Sequence, residues 1–138
     1  MSEGLRILVV TVSDRASRGE YEDLSGPAAE EALRAALPDC QTERVVIPDD
    51  AAALSDALNK GLSFDAVVTT GGTGLGPRDI TPEVSARFCE RDIPGIAEYL
   101  RAESLKETDL APLSRAYAGQ KQSTVVVNLP GSRAGAHS

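Results

Sequence analysis

With 138 residues, 41% hydrophobic and 25% charged, the chain has the size and balance of one globular domain that buries a core without disulfides or a structural metal. A net charge of -7 argues against broad nucleic-acid binding and against adhesion to anionic membranes, and no apolar run approaches bilayer length. Cys40 and Cys89 lie far apart, the only histidine is His137, and Met1 to Gly4 lack a signal-like pattern, so a thiol pair, a zinc site and a His-based triad are set aside and a cytoplasmic location is expected.

Leu5 to Val12 is a nearly continuous apolar run, the pattern of a central strand covered on both faces. Ser13 to Ser25 follows as a polar loop, long for a strand-to-helix connection, and loops of that length are often functional. A helix is predicted from Ser25-Gly26-Pro27 to Leu37, with Ala29, Ala32, Leu33, Ala36 and Leu37 on its inner face and Pro38-Asp39 as its stop. Thr42 to Ile47 reads as a second strand. Pro48-Asp49-Asp50 turns into a helix that buries Leu54 and Leu58 and ends with Gly61 at the position just past its last turn.

Ala66 to Thr70 is a short β-branched strand, and after it comes a glycine-dense loop, Gly71-Gly-Thr-Gly-Leu-Gly-Pro-Arg-Asp79. Gly71, Gly72, Gly74 and Gly76 allow positive φ and close approach of a ligand, and successive amides in such a loop suit an anion. The spacing fits neither the dinucleotide fingerprint nor a P-loop. Arg78 and Asp79 bring both charges that phosphoryl chemistry uses, a cation for phosphate and a carboxylate for magnesium. Thr81-Pro82-Glu83 supplies an expected N-cap, first-turn proline and early acid for a helix to Glu90, with Val84, Phe88 and Cys89 facing inward. After a break at Asp92 to Gly95, Ile96 to Lys106 is a further helix using Ile96, Tyr99, Leu100 and Leu105. Leu113 to Gly119 is a short helix or irregular segment, and Ser123 to Leu129 is the last strand, followed by a possible backbone cradle at Pro130-Gly131-Ser132.

The alternation predicts an α/β fold: a three-layer, mostly parallel open sheet with helices on both faces, forming one domain over 1–138. Ligands bind such sheets beyond the strand carboxyl ends, where the loops beginning at Ser13, Pro48, Gly71 and Pro130 would gather.

Leu8 to Arg15, Tyr21 to Gly26, Ile47-Pro-Asp49, Thr69 to Gly74, Arg78-Asp-Ile-Thr-Pro82, Leu113-Ser-Arg115 and Asn128-Leu-Pro-Gly131 together resemble the MogA/MoaB family of molybdenum-cofactor biosynthesis, in order and over nearly the whole chain. The resemblance implies a molybdopterin-binding fold and a molybdopterin adenylyltransferase that joins AMP from Mg-ATP to the terminal phosphate of molybdopterin and releases pyrophosphate. It implies Asp49 and Asp79 as catalytic acids and as tentative Mg2+ ligands. As substrate-binding residues it implies Ser13, Asp14, Gly71, Gly72, Thr73, Gly74, Ser114, Asn128, Pro130, Gly131 and Ser132. It also implies a homotrimer or higher homo-oligomer, with no nucleic-acid or membrane partner. Relatives continue from the Pro-Gly turn into a further helix, so the outer face of the last strand is expected to be covered by a neighbouring subunit, the alternative being that the covering segment is absent and stability suffers. A pterin-binding protein without turnover and a nucleotide pyrophosphatase on the same fold are the competing readings.

Read from the residues alone, each candidate has a plainer use. Asp49 and Asp79 are also acids at helix N-termini, Ser13, Asp14, Ser114 and Ser132 are also turn or capping groups, and Asn128 also suits satisfying backbone at a sheet edge. Tyr21, Tyr99 and Tyr117 are read as packing residues in preference to pterin flanks.

Overall fold

The apolar run near the N-terminus becomes the interior strand β1 (Arg6–Val12) of the computed structural model, which describes residues 4–130. A one-turn α1 (Asp14–Ser17), α2 (Ser25–Ala36), β2 (Gln41–Ile47), α3 (Ala51–Lys60) and β3 (Ala66–Thr70) follow. The chain continues through α4 (Thr81–Phe88), β4 (Arg91–Asp92), α5 (Pro94–Ser104), β5 (Ala118–Lys121) and β6 (Thr124–Asn128).

The sheet order is β2-β1-β3-β6-β5-β4, with β2, β1, β3 and β6 parallel and β5 and β4 antiparallel at one edge. Alternation of side chains along β1 divides the core. Leu8, Val10 and Val12 meet Leu54 and Leu58 of α3 and Val84 of α4, together with Val67 and Val126 of the neighbouring strands. Ile7 and Val9 meet Ala29 and Leu33 of α2, with Val68 and Leu129 beside them. Leu54 and Leu58 are fully buried, and each such side chain contributes about 1.5–3 kcal/mol relative to exposure. The three layers and the mostly parallel sheet therefore agree with the sequence pattern.

The connection after β1 leads to β2 on one side, whereas the chain after β3 passes to the other side, building β4 and β5 before β6 pairs with β3. The carboxyl ends of β1 and β3 thus form the point where the winding reverses, and a crevice opens there by geometry alone.

Several local expectations are corrected. The loop after Val12 contains α1, because Ser13 caps it by accepting from the Ala16 amide. On α2 the residues facing inward are Gly26, Ala29, Glu30 and, in part, Leu33, while Ala32, Ala36 and Leu37 are exposed. Glu30 faces inward because β2 presents Arg44 and Thr42, which hold its carboxylate at 2.8 and 2.6 Å. Gly61 has φ -67 and leads into a 3-10 turn over Gly61–Ser63. Close packing explains its identity: a Cβ there would sit 2.2 Å from Val67 Cγ2. Thr81 is the first residue of α4 and not its cap. On α5, Ala97 is the buried position, and Tyr99 is 64% exposed because it lies on the opposite side of that helix.

The antiparallel edge departs from the sequence pattern. Ala118-Gly-Gln-Lys121 has no β-branched residue, so it carries no strand signal of its own. It becomes a strand by pairing with the valine-rich β6 across a tight reversal in which Gln122 takes φ 54. Val125 and Val127 of β6 are half-buried on the face shared with α2.

Candidate active site at the carboxyl ends of the parallel strands

The loops expected to gather at the strand carboxyl ends do so. β1 runs directly into Ser13 and Asp14, β2 into Pro48 and Asp49, and β3 into Gly71. Because β1 and β2 pair in parallel register to Val12 and Ile47, Asp14 and Asp49 arrive side by side. They grip each other reciprocally: the Asp49 amide donates to Asp14 Oδ1 at 2.9 Å, and the Asp14 amide donates to Asp49 Oδ2 at 3.0 Å.

Arg78 closes this pair from the glycine loop. Its Nε and NH2 donate to the two oxygens of Asp14 at 2.6 and 3.0 Å, and NH2 also reaches the Asp49 carbonyl at 2.9 Å. The forked contact with Arg78, with the Asp49 amide second, holds the Asp14 carboxyl below the usual carboxylate range. Asp49 behaves oppositely. Burial pushes its carboxyl up, and the charges of Asp14 and Asp79 add to that rise. Asp14 is thus saturated by protein partners, whereas Asp49 is the half-buried acid whose charge is poorly compensated.

In the glycine loop, positive φ occurs at Gly71 (95°) and Gly72 (74°) but not at Gly74 or Gly76, which corrects the expectation for the latter two. A Cβ on Gly71 would meet the Val12 carbonyl at 2.3 Å, and one on Gly72 would meet Thr81 Oγ1 at 2.2 Å and Asp49 Oδ1 at 3.4 Å. Gly74 and Gly76 serve another purpose. The loop curls around the Asp79 carboxylate, whose Oδ2 accepts from the Gly76 amide at 2.8 Å and lies 3.0 Å from where either Cβ would be. Among the described residues, Asp49 Oδ1 and Asp79 Oδ1 accept no hydrogen bond.

A groove of about 1000 Å3 runs past this loop. Ser13, Gly71, Gly72, Thr73, Gly74, Asp79, Ser114 and Pro130 all line it, so eight of the sequence candidates share one cavity. Its flanks are apolar: Leu24 and Ala28 stand at the start of α2, and Leu110 and Leu113 on the segment after α5. Such a volume, largely apolar with a few convergent polar groups, suits one large or two smaller ligands. Tyr21 lines the groove and shares a 2.9 Å hydrogen bond with Ser13 Oγ, while Tyr117 bonds Asp92 and Tyr99 lies in the open on α5.

Three candidates fall elsewhere. Asp14 and Asp49 sit beside the groove, at the glycine-loop end, and do not form its wall. Asn128 is fully buried and spends its amide internally: Oδ1 accepts from the Tyr117 amide at 3.1 Å, and Nδ2 donates to Thr69 Oγ1 and Ser85 Oγ at 3.0 and 3.1 Å. Gly131 and Ser132 lie outside the described residues.

Arg115 was not singled out in the sequence, although it ends the Leu113-Ser-Arg115 motif. Its amide donates to the Thr73 carbonyl at 2.9 Å, its Nε to the Gly74 carbonyl at 2.8 Å and its NH2 to the Asp79 carbonyl at 2.5 Å, and NH1 pairs with Glu83. Thr81 was also missed as more than a cap. Its side chain is wholly buried, and Oγ1 has no partner among the described residues.

No helix among the described residues is long and apolar enough to cross a membrane. Nor do three or more His, Cys, Asp or Glu side chains gather there into a metal-binding group.

Residues 8–138 match the family described as the probable molybdopterin binding domain. The chain is 41% identical over 131 residues to the molybdopterin adenylyltransferase of Helicobacter pylori strain J99, covering 92% of this chain and 74% of that one. It is 40% identical over 131 residues to the molybdopterin adenylyltransferase of Escherichia coli K12, covering 92% and 67%. Among solved structures, the molybdopterin biosynthesis enzyme MoaB of Thermus thermophilus superimposes with a TM-score of 0.85 at 38% identity, covering 96% of this chain and 84% of that one. A molybdopterin biosynthesis protein of Mycobacterium abscessus superimposes at 0.86 with 40% identity, covering 96% and 85%. Since the match spans the sheet, the glycine loop and the groove that the strand ends open, this chain belongs to the molybdopterin-binding domain family of molybdenum cofactor biosynthesis.

Proposed function

We propose that the protein is a molybdopterin adenylyltransferase acting in molybdenum cofactor biosynthesis. The observation that carries the reading is the meeting of Asp79, the glycine loop and Ser114 on one groove, with the undercompensated Asp49 at its end. Relatives of about this identity carry that activity in their names.

In this reaction an oxygen of the terminal phosphate of molybdopterin bonds to the α-phosphorus of ATP. The bond from that phosphorus to the bridging oxygen breaks, and pyrophosphate leaves with the electron pair. The attacking phosphate is already ionised, so the protein has no proton to remove. What it must do is align two anions and offset their repulsion. Ser13, Ser114 and the loop 71–74 supply hydrogen-bonding groups on the groove, and Leu24, Leu110 and Leu113 exclude water from its sides. Asp14 and Arg78 hold the Asp49 backbone in place from one side. Asn128 ties the end of β6 to β3, to α4 and to Tyr117 from within the sheet.

Magnesium fits these residues. Mg2+ is commonly held by one or two carboxylates together with substrate phosphates, so a pair of acids suffices. Asp49 and Asp79 each keep one oxygen without a protein partner, and their mutual repulsion is relieved by a dication. Gly72 brings the loop against both Thr81 and Asp49, since a Cβ there would meet Thr81 Oγ1 at 2.2 Å and Asp49 Oδ1 at 3.4 Å. Bound there, the ion would neutralise phosphate charge while both acids orient it.

The test is pyrophosphate release with Mg-ATP and molybdopterin together. Release that requires both substrates supports the transferase. Binding of molybdopterin without turnover would make the protein a pterin binder, and cleavage of ATP by water would make it a pyrophosphatase. A homotrimer or higher homo-oligomer is also proposed. Tyr99 and Leu105, 64% and 48% exposed, are apolar surface that an assembly would cover, and sedimentation at micromolar concentration checks it.

A further inference from the structure

We infer that Arg115 is a positioning residue: it turns the peptide planes of the glycine loop so that the Gly74 and Leu75 amides face the groove as a cradle for phosphate oxygens. The inference rests on the proposed nucleotide-dependent reaction for its ligand, and on geometry for everything else.

A trans peptide is planar, so its carbonyl and its N–H point in opposite directions. No cis peptide occurs among the described residues. The Thr73 carbonyl belongs to the same plane as the Gly74 amide, and the Gly74 carbonyl to the same plane as the Leu75 amide. Arg115 draws both carbonyls to itself, the first through its own amide at 2.9 Å and the second through Nε at 2.8 Å. Both amides are thereby turned away from Arg115.

What lies on that other side is the groove. Thr73, Gly74 and Leu75 line it, whereas Arg115 does not; Arg115 lines a separate cavity of about 370 Å3 between α4 and α5. Neither the Gly74 nor the Leu75 amide donates a hydrogen bond among the described residues. Two free donors, adjacent in sequence and pinned from behind, one by the Arg115 backbone amide and the other by its guanidinium, make an anion site of the kind successive backbone amides form. Asp79 is fixed by the same side chain, since NH2 holds its carbonyl, and so the cradle and the acid keep a constant spacing. Glu83 in turn holds the guanidinium from α4.

Lysine cannot reproduce this. Its ammonium is a point charge without the planar fork, so it cannot hold the Gly74 and Asp79 carbonyls at once in this geometry. The backbone bond from Arg115 to Thr73 survives any side-chain change, which gives the inference a signature: Arg115→Lys should disturb the Leu75 amide and spare the Gly74 amide.

The experiment follows backbone amide resonances of the free full-length chain as inorganic pyrophosphate is added, and then measures Mg-ATP and molybdopterin affinities separately. In the unaltered protein both the Gly74 and Leu75 amides should shift. In Arg115→Lys the Gly74 shift should persist and the Leu75 shift should be lost, with Mg-ATP binding on the order of tenfold weaker and molybdopterin affinity unchanged. The unaltered protein tests the cradle without any variant, so a failure of the variant to fold leaves the question open to decision. Silence of both amides toward pyrophosphate overturns the inference, as does a normal Leu75 response in Arg115→Lys. So does a parallel loss of both affinities together with thermal stability, because that pattern means general damage. If the unaltered protein releases no pyrophosphate from ATP and molybdopterin while both amides still shift, the proposed reaction falls and the cradle stands.

Discussion

Asn128→Ala separates a ligand contact from a structural one. Asn128 is fully buried, and its amide makes three hydrogen bonds, from the Tyr117 amide and to the Thr69 and Ser85 hydroxyls. The two hydroxyls can rotate toward other acceptors, but the Tyr117 amide has nowhere to turn. With each bond contributing about 1 kcal/mol net, and a buried amide left bare costing about 1–3 kcal/mol, the loss should be about 3 kcal/mol. That is a large part of a typical total of about 5–15 kcal/mol. For a urea slope of about 2 kcal/mol/M, the unfolding midpoint should drop by about 1.5 M. Molybdopterin affinity, measured well below that midpoint, should change less than about threefold, since the side chain does not reach the groove. An unchanged midpoint combined with a tenfold or greater loss of pterin affinity would refute the reasoning and return Asn128 to the substrate-contact role that the family resemblance implies.

Asp79→Asn should keep fold and assembly, because an amide oxygen can still accept from the Gly76 N–H, yet lose most adenylyl transfer. Combined with Asp49→Asn, the double variant should lose much less than the sum of the singles if both acids serve one metal-nucleotide assembly; full additivity in pyrophosphate release means separate roles. Gly71→Ala should destabilise by about 3 kcal/mol or more, since φ is 95° and the Cβ would strike the Val12 carbonyl of the central strand. Gly74→Val should instead hurt ligand binding more than folding, as its Cβ meets only the Asp79 carboxylate; equal melting shifts for the two variants would sink that distinction. Arg78→Met should move the acid limb of the activity profile to higher pH. Asp49, already raised mainly by burial, loses a nearby positive charge, and activity that needs its ionised form is lost as pH falls through the folded pKa. In the same variant the stability linked to the depressed carboxyl of Asp14, present above the usual carboxylate pKa and lost on acidification, should shrink; an unmoved acid limb counts against the assignment.

The sequence by itself determined the parallel part of the sheet and where its site lies. The nearly continuous apolar run at Leu8 to Val12 and the β-branched run at Ala66 to Thr70 read as strands, and the glycines after Thr70 mark a loop open to close approach. Residue type and spacing single out the glycine loop with Arg78 and Asp79, whereas Asp49 stands out only through the family resemblance and is otherwise an ordinary acid at a helix start. Tertiary structure decided the rest. Ala118 to Lys121 has no strand propensity and becomes a strand only because β6 offers it a partner. Asp14 and Asp49 are 35 residues apart, and only the parallel register of β1 and β2 makes them clasp each other, which gives Asp14 a supporting part and leaves Asp49 undercompensated. Asn128 after a valine run gave no sign of whether it faced ligand or backbone, since that depends on Tyr117 and Ser85 arriving from elsewhere. Arg115 reaches the glycine loop across 41 residues. Its role lies in the direction of two carbonyls, and a sequence records which side chains are present but not which way a peptide plane is turned.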